Sequence, residues 1–496
     1  MIETKFIDEV EVELEFGGGK RHIDIRFGIL NHGTLDRDER SDVRGINVAI
    51  IGLPELNNKF LEWLEQCNSG IESKETSKTN LFPRFPGFGE NSPYNAEWIC
   101  DERSIRNLFT TEITKLKKLN TTGEIIKHAV GLYTSEIDYL ANETKPDIIF
   151  CIVPDILGEQ LDRAAEMAGH IPRLSEKEDE VVNKYRHDFH HYLKAESMNY
   201  RIPIQLILPS TFGVGTRGKS TKKKRRHKKA RKLQDTATRA WNLFTAMYYK
   251  AGCVPWRLAR QSTDYDTCYI GVSFYKSLDE KVVYTSIAQI FNERGEGIVV
   301  RGGQAQQSKR DRTPHLNNED SAKILVQAIQ RYRHEHKNMP ARVVLHKSSY
   351  FTEEEIEGFC EGIKQENISM ADMLSIRTSS IRLFRTGVYP VLRGTYMKLD
   401  SNKHLLYTRG SVPFFETYPG LYVPRALEIQ FDKVEQSRET LCREILALTK
   451  MNWNNTQFDM REPITLRAAR GVGNILKYIP VDAPESRIAA RYSFYM

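Results

Sequence analysis

Residues 268–277 read CYIGVSFYKS and residues 341–351 read ARVVLHKSSYF. Each is a run of β-branched and aromatic residues of strand length that breaks into a small polar cluster. The first carries Ser273 towards its end, and the second runs out at Ser348 and Ser349. Around them three β segments follow in succession, DTCYIGVSFY, KVVYTSIAQIFN and GEGIVVRGGQ. A helix over Asn318–Lys337, opened by NNED, then leads to RVVLH.

Three antiparallel strands, a helix and a further strand give the order of a ribonuclease H-like core. Cleavage of a phosphodiester by the two-metal route requires hard, negatively charged oxygen ligands near such strand ends. Ser273 and Ser348 stand there instead, and neutral hydroxyls do not offset two divalent ions. The expectation is a domain with no catalytic metal pair and no metal-dependent nuclease activity. The alternative is an active nuclease with a rearranged acidic site drawn from Glu293, Glu296 and Asp459.

Upstream the pattern alternates. GINVAIIG (Gly45–Gly52), PDIIFCIVPD (Pro146–Asp155) and IPIQLILPS (Ile202–Ser210) read as buried strands. Charged helical stretches span Ser175–Ser197 and Asp235–Gly252, the latter with an apolar stripe of Trp241, Phe244, Met247 and Tyr248. Strand–helix repetition at this spacing predicts a doubly wound, Rossmann-like α/β unit. The division expected is 1–260 and 261–496, with an N-terminal extension and a basic loop at 217–232. The opening MIETKFIDEVEVELEF alternates, with Val10, Val12, Leu14 and Phe16 against Glu9, Glu11, Glu13 and Glu15. It predicts one strand with a solvated acidic face, not a signal or transit peptide.

The 496 residues carry 40% hydrophobic and 28% charged side chains. These are values of a globular protein, and no apolar run has the length of a membrane span. Seven scattered cysteines without a CxxC pair suit reduced thiols and a cytoplasmic setting, and argue against a zinc ribbon. Residues 217–232 hold eleven Lys or Arg and no acid; removing them from the net +7 leaves the rest of the chain at −4. The positive character is therefore local, and a block of that density attracts polyanionic phosphate in a salt-dependent way. A general RNA-binding protein acting through this loop is a further alternative, and a solvated loop the bland one.

In HDFHHYLKAESMNYRIPIQ (His187–Gln205), His187, His190, His191 and Lys194 share a helix face. The readings open are a solvated basic face, a metal site, and an anion pocket. In the pocket reading Lys194 supplies charge, His190 hydrogen bonds, and Gln205 and Lys250 converge on the same anion. In the C-terminal third, Arg409, Arg425, Arg467 and Arg470 alternate with Tyr407, Phe414, Tyr418, Tyr422 and Trp453. Cations and aromatic faces are what single strands and RNA-containing duplexes require, although most of these rings are expected in the core. The ending RYSFYM is apolar enough to be docked.

Five stretches in order resemble the short prokaryotic Argonautes, built of MID and PIWI domains only: His190–Gln205, Asn242–Gly252, YIGVSF, PARVVLHKSS and LTKMNWNN…PITLRAARGVG. The resemblance covers most of the chain. It implies an α/β Rossmann-like MID domain (1–260) followed by a ribonuclease H-like PIWI domain (261–496). It further implies that His190, Lys194, Gln205 and Lys250 bind the 5′ end of a guide RNA, with His at a position usually held by Tyr. A Mg²⁺ bridging the guide phosphate and the terminal carboxylate of Met496 is also implied. Ser273 and Ser348 fall where cleaving members carry Asp, with Asn452, Asn454 and Asp459 near the fourth position. Arg409, Arg467 and Arg470 are expected on nucleic-acid backbone. The implied partners are guide RNA, target single-stranded DNA and an APAZ-containing effector protein (TIR, sirtuin-like or nuclease) acting in prokaryotic antiviral and antiplasmid immunity, with no membrane.

Overall fold

The stretch 268–277 lies within a nine-stranded sheet in the computed structural model, which describes residues 4–6, 11–167, 188–214, 233–259, 265–291, 297–307, 313–383, 390–420 and 423–496. The strand Thr267–Lys276 pairs antiparallel with Val283–Phe291, which pairs antiparallel with Ile298–Gln304. On its other side it runs parallel to Arg342–Lys347, and that strand parallel to Met370–Thr378. Leu427–Lys433, Lys403–Leu406, Thr395–Lys398 and Thr4–Phe6 complete the sheet.

Alternation along Thr267–Lys276 decides what each face meets. Cys268, Ile270 and Val272 join the core beneath the helices Asn318–His336 and Glu353–Gln365. Gly271 and Ser273 turn towards the helix Ile464–Leu476. A Cβ on Gly271 would meet the Thr465 carbonyl oxygen at 2.1 Å, so only glycine lets this helix approach.

The first half of the chain builds a parallel sheet in the order Ala96–Ile99, Arg44–Gly52, Ile148–Ile152, Ile204–Ile207, with Ile105–Asn107 also on Arg44–Gly52. Ile148–Ile152 is buried at every position, as a central parallel strand covered on both faces must be. The helix Thr236–Lys250 begins at Asp235, whose Oδ1 accepts from the Thr238 amide at 3.0 Å. Such a cap contributes about 1 kcal/mol. The helix then buries Trp241, Phe244, Met247 and Tyr248, and this carries its last residue, Lys250, into the core.

The predicted N-terminal strand is divided. Thr4–Phe6 pairs with Thr395–Lys398 in the large sheet, while Leu14–Glu15 joins a small sheet with Arg21–His22 and Arg257–Leu258. Its acidic face is not simply solvated. Glu15 pairs with Arg257 at 2.5 Å, and Glu11 pairs with Arg393 at 3.0 Å and Lys450 at 3.2 Å. Against the upward push of burial, Arg393 and Lys450 hold the Glu11 carboxyl below the usual carboxylate range. Of the predicted helix at 175–197, residues 188–197 are described and are helical. His187, the basic loop 217–232, Glu293, Glu296 and Tyr422 lie outside the described residues. No described helix is long and apolar enough to cross a membrane.

Candidate nucleic-acid interface

Helical periodicity sets His190 and Lys194 one turn apart, and the segment that carries them docks against the C-terminal region. Asp188 pairs with Lys477 at 3.2 Å, Glu196 with Arg487 at 3.2 Å, and Tyr192 stacks on Tyr478. Docking drives the Lys194 side chain inwards to 3% exposure, and Lys250 is 2% exposed. The Lys250 amino group donates to the carbonyl of Ile204 at 2.8 Å and to the main-chain oxygen of Met496 at 3.0 Å. The Lys194 amino group donates to the same Met496 oxygen. Two buried amino groups thus converge on one oxygen.

Among the described residues, no acidic side chain ion-pairs with either lysine. Burial lowers the Lys194 amino group to about 7. Lys250 is held well below the usual lysine range, by burial first and by the Lys194 charge second. In both cases burial is the main cause, because it disfavours the charged form. A bound anion restores the charged forms, and charge-assisted hydrogen bonds are the strong kind.

Gln205 directly follows Ile204 on the strand Ile204–Ile207. Its Nε2 donates to the Leu206 carbonyl at 3.2 Å, while its buried Oε1 has no hydrogen-bond partner among the described residues. His190 is half-buried, its ring stacked 5.6 Å from His191. Met496 is buried, together with Tyr492 and Tyr495.

The two serine positions also come together. Val272 pairs with Lys347 in the parallel ladder, so Ser273, still inside its strand, is the next residue beside Ser348, which follows the end of the neighbouring strand. Ser273 is buried, and Ser286 opposite it donates to the Ala469 carbonyl of the covering helix at 2.8 Å. Asp459 is occupied elsewhere. Its Oδ1 pairs with Arg409 at 3.3 Å, and its other charged neighbours are Arg393, Glu11 and Lys450. Burial pushes its carboxyl up to about 6. Oδ2 of Asp459, Nδ2 of Asn452 and Oδ1 of Asn454 are buried with no hydrogen-bond partner among the described residues.

Arg467 and Arg470 are exposed one turn apart on the helix Ile464–Leu476, and Arg470 pairs with Glu462 at 2.8 Å. Arg425 is exposed as well. Two of the five expected stacking aromatics are in the core, and Phe414 and Tyr418 are half-buried. Tyr407 and Trp453 are fully buried, Trp453 stacks on Tyr249 at 4.8 Å, and Phe414 packs edge-on to His22 and Phe27.

One neighbouring feature escaped the sequence reading. Lys347, immediately before Ser348, forms a fully buried ion pair with Glu355 at 2.6 Å. Glu355 also accepts from the amides of Leu316 and Thr352 at 2.9 Å, the latter closing a capping box. The pair fixes the 348–352 turn as it leaves the sheet. The Thr352–Glu355 spacing was its signal, since S/T-x-x-E marks a helix start.

No protein-family model matches the sequence, and no curated protein matches it. Solved structures do match. Clostridium butyricum Argonaute bound to a guide DNA (5′ deoxycytidine) and a 19-mer target DNA superposes with a TM-score of 0.60 at 15% identity, over 98% of this chain and 54% of that one. The fold is Argonaute-like. A. aeolicus Argonaute (TM-score 0.56, 14% identity, 97% of this chain, 54% of that) and Drosophila Piwi (0.56, 14%, 99%, 56%) are similar to it in the same way. The chain spans about half the length of these Argonaute and Piwi structures. The parallel sheet followed by the larger mixed sheet has the MID–PIWI arrangement of that fold.

Proposed function

We propose that this chain is a guide-dependent nucleic-acid-binding protein of the short Argonaute kind. Its MID half, residues 1–260, grips the 5′ phosphate of a guide RNA, and its PIWI half, residues 261–496, holds the guide paired to single-stranded target DNA without cutting it. The observation that carries this reading is the convergence of Lys194 and Lys250 on one oxygen, without an acidic partner among the described residues. The negative charge of a phosphate favours the protonated lysines, and its several oxygens accept from both amino groups.

The donor set does not fit a resident magnesium ion. The Met496 oxygen already accepts from the Lys194 and Lys250 amino groups, which a metal ion using it as a ligand would have to displace. The binding role rests on charge and backbone shape, with sequence read by base pairing. Ser273 and Ser348, neighbours across the paired strands, support a binding rather than a cleaving PIWI half. In this reading target recognition is passed to a separate APAZ-containing effector (TIR, sirtuin-like or nuclease) in defence against phage and plasmids.

The test is the affinity of the full chain for one short RNA bearing a 5′ phosphate or a 5′ hydroxyl. Phosphate is preferred in the parent, and Lys194→Ala or Lys250→Ala each removes roughly ten- to a hundredfold of affinity, the worth of about 1.5–3 kcal/mol for a hydrogen bond to a charged group. Equal affinity for the two RNAs overturns the clamp.

A further inference from the structure

An open groove of about 770 Å³ lies between the end of the helix Pro54–Asn68, the loop at 86–92 and the strand Ala96–Ile99. That strand is the edge of the parallel sheet. It pairs with Arg44–Gly52 on one side, and among the described residues no strand pairs with it on the other. Four consecutive residues, 97–100, line the groove. Side chains of successive strand residues point to opposite faces, so a groove lined by all four follows the free edge itself. Trp98 and Phe88 supply apolar lining, and Ile99 is 46% exposed beside them. The charged side chains of the lining are all acidic: Glu65, Glu90 and Glu97, each exposed.

Edge strands ordinarily carry Lys, Pro or a bulge that discourages pairing. Ala96–Ile99 has none of these, and its one charge, Glu97, belongs to the acidic rim. We propose that this groove docks an extended basic segment of a partner protein, which adds to the sheet as a further strand beside Ala96–Ile99. Main-chain hydrogen bonds along the free edge supply affinity, apolar side chains of alternate residues enter over Trp98, and lysine or arginine side chains meet the three glutamates. The occupant is a polypeptide and not nucleic acid, because three exposed carboxylates with no ion pair among the described residues repel phosphate. This surface is independent of the lysine clamp and requires no guide.

The probe is a short synthetic peptide of alternating lysine and valine, titrated into the full chain by fluorescence anisotropy. The parent binds it. Charge reversal of Glu65, Glu90 and Glu97 to Lys weakens binding on the order of tenfold, the sum of three exposed ion pairs. N-methylation of alternate peptide amides, which removes the edge hydrogen bonds, abolishes binding while leaving the charge. Far-ultraviolet circular dichroism of the triple variant matches the parent, since all three residues are exposed. Equal binding of the methylated peptide overturns strand addition. Equal binding by the triple variant overturns the groove. Peptide binding that emerges only when 217–232 is deleted assigns the groove to the chain's own basic segment and overturns the partner reading, as does a parent dimer that the triple variant loses.

Discussion

In the proposed function the lysine clamp makes guide binding a proton-uptake reaction, which is measurable without any mutation. In the unliganded chain the Lys194 amino group sits at about 7 and Lys250 is lowered further. At about pH 8, therefore, only about a tenth of Lys194 is charged. A bound phosphate favours the charged form and restores the ordinary lysine range, so Lys194 alone takes up about 0.9 proton at that pH. Lys250 adds up to one more. Each linked proton lowers phosphate affinity about tenfold per pH unit above the free-state value. A phosphate monoester itself gains its second charge near pH 6, so the useful window runs from about 7 to 9. Calorimetric titration of the 5′-phosphorylated RNA in buffers of differing ionisation enthalpy reads the proton count directly, with the 5′-hydroxyl RNA as reference. Between one and two protons are expected for the phosphorylated strand and close to none for the other. Equal proton counts for the two strands, or a phosphate preference flat from about pH 7 to 9, refute the reasoning. The same shifts act on stability. Between the folded value of about 7 and the unfolded 10.5 the unfolded chain holds more protons on Lys194, so the unliganded protein gains stability as pH rises through that range.

Three further outcomes follow from buried groups. Glu355→Gln strands the Lys347 charge in the core and costs about 3–5 kcal/mol in denaturant unfolding, whereas a change below about 1 kcal/mol would contradict its full burial. Gly271→Ala forces a methyl group onto the Thr465 carbonyl and costs at least about 1–3 kcal/mol by the same measurement; a neutral result would deny the close helix–sheet approach. Asp459, raised by burial from 3.8 to about 6, binds more protons folded than unfolded across that interval, so the parent loses stability as pH rises through it. Asp459→Asn flattens that slope and stabilises the chain at neutral pH by up to about 3 kcal/mol; an unchanged pH profile of the melting temperature would reject the assignment.

Much of the architecture was legible because buried strands and amphipathic helices write their periods into the sequence. Ile148–Ile152 and Thr267–Lys276 are read from continuous apolar runs, and Thr236–Lys250 from its stripe and its Asp235 cap. The N-terminal alternation misled for a definite reason. A period of two says that one face is covered, but not that the chain leaves one sheet for another between Phe6 and Leu14. Nor does it say that Glu11 has its partners at Arg393 and Lys450, hundreds of residues away. The C-terminal aromatics, most of them expected in the core, show the same limit: composition reports rings, while only tertiary packing decides that Trp453 stacks on Tyr249. In the clamp, the turn between His190 and Lys194 is helical arithmetic. The meeting of Lys194 with Lys250 over Met496 depends on how the C-terminal segment docks, which no local pattern encodes.

That docking has a counterpart at the other end of the molecule. Thr4–Phe6 leaves the parallel-sheet half to become the outer strand of the large sheet, while Met496 returns from the large-sheet half to the two lysines of the first. Each lobe is finished by a piece of the other, in the manner of a strand exchange carried out within one chain. A wide hinge between the lobes would strip a strand from one and an oxygen from the other at the same time. Motions that keep both seams intact are shears along them, so the lobes slide past each other rather than gape. Cutting the polypeptide near residue 260 accordingly yields two fragments that are stable only as a reassembled pair.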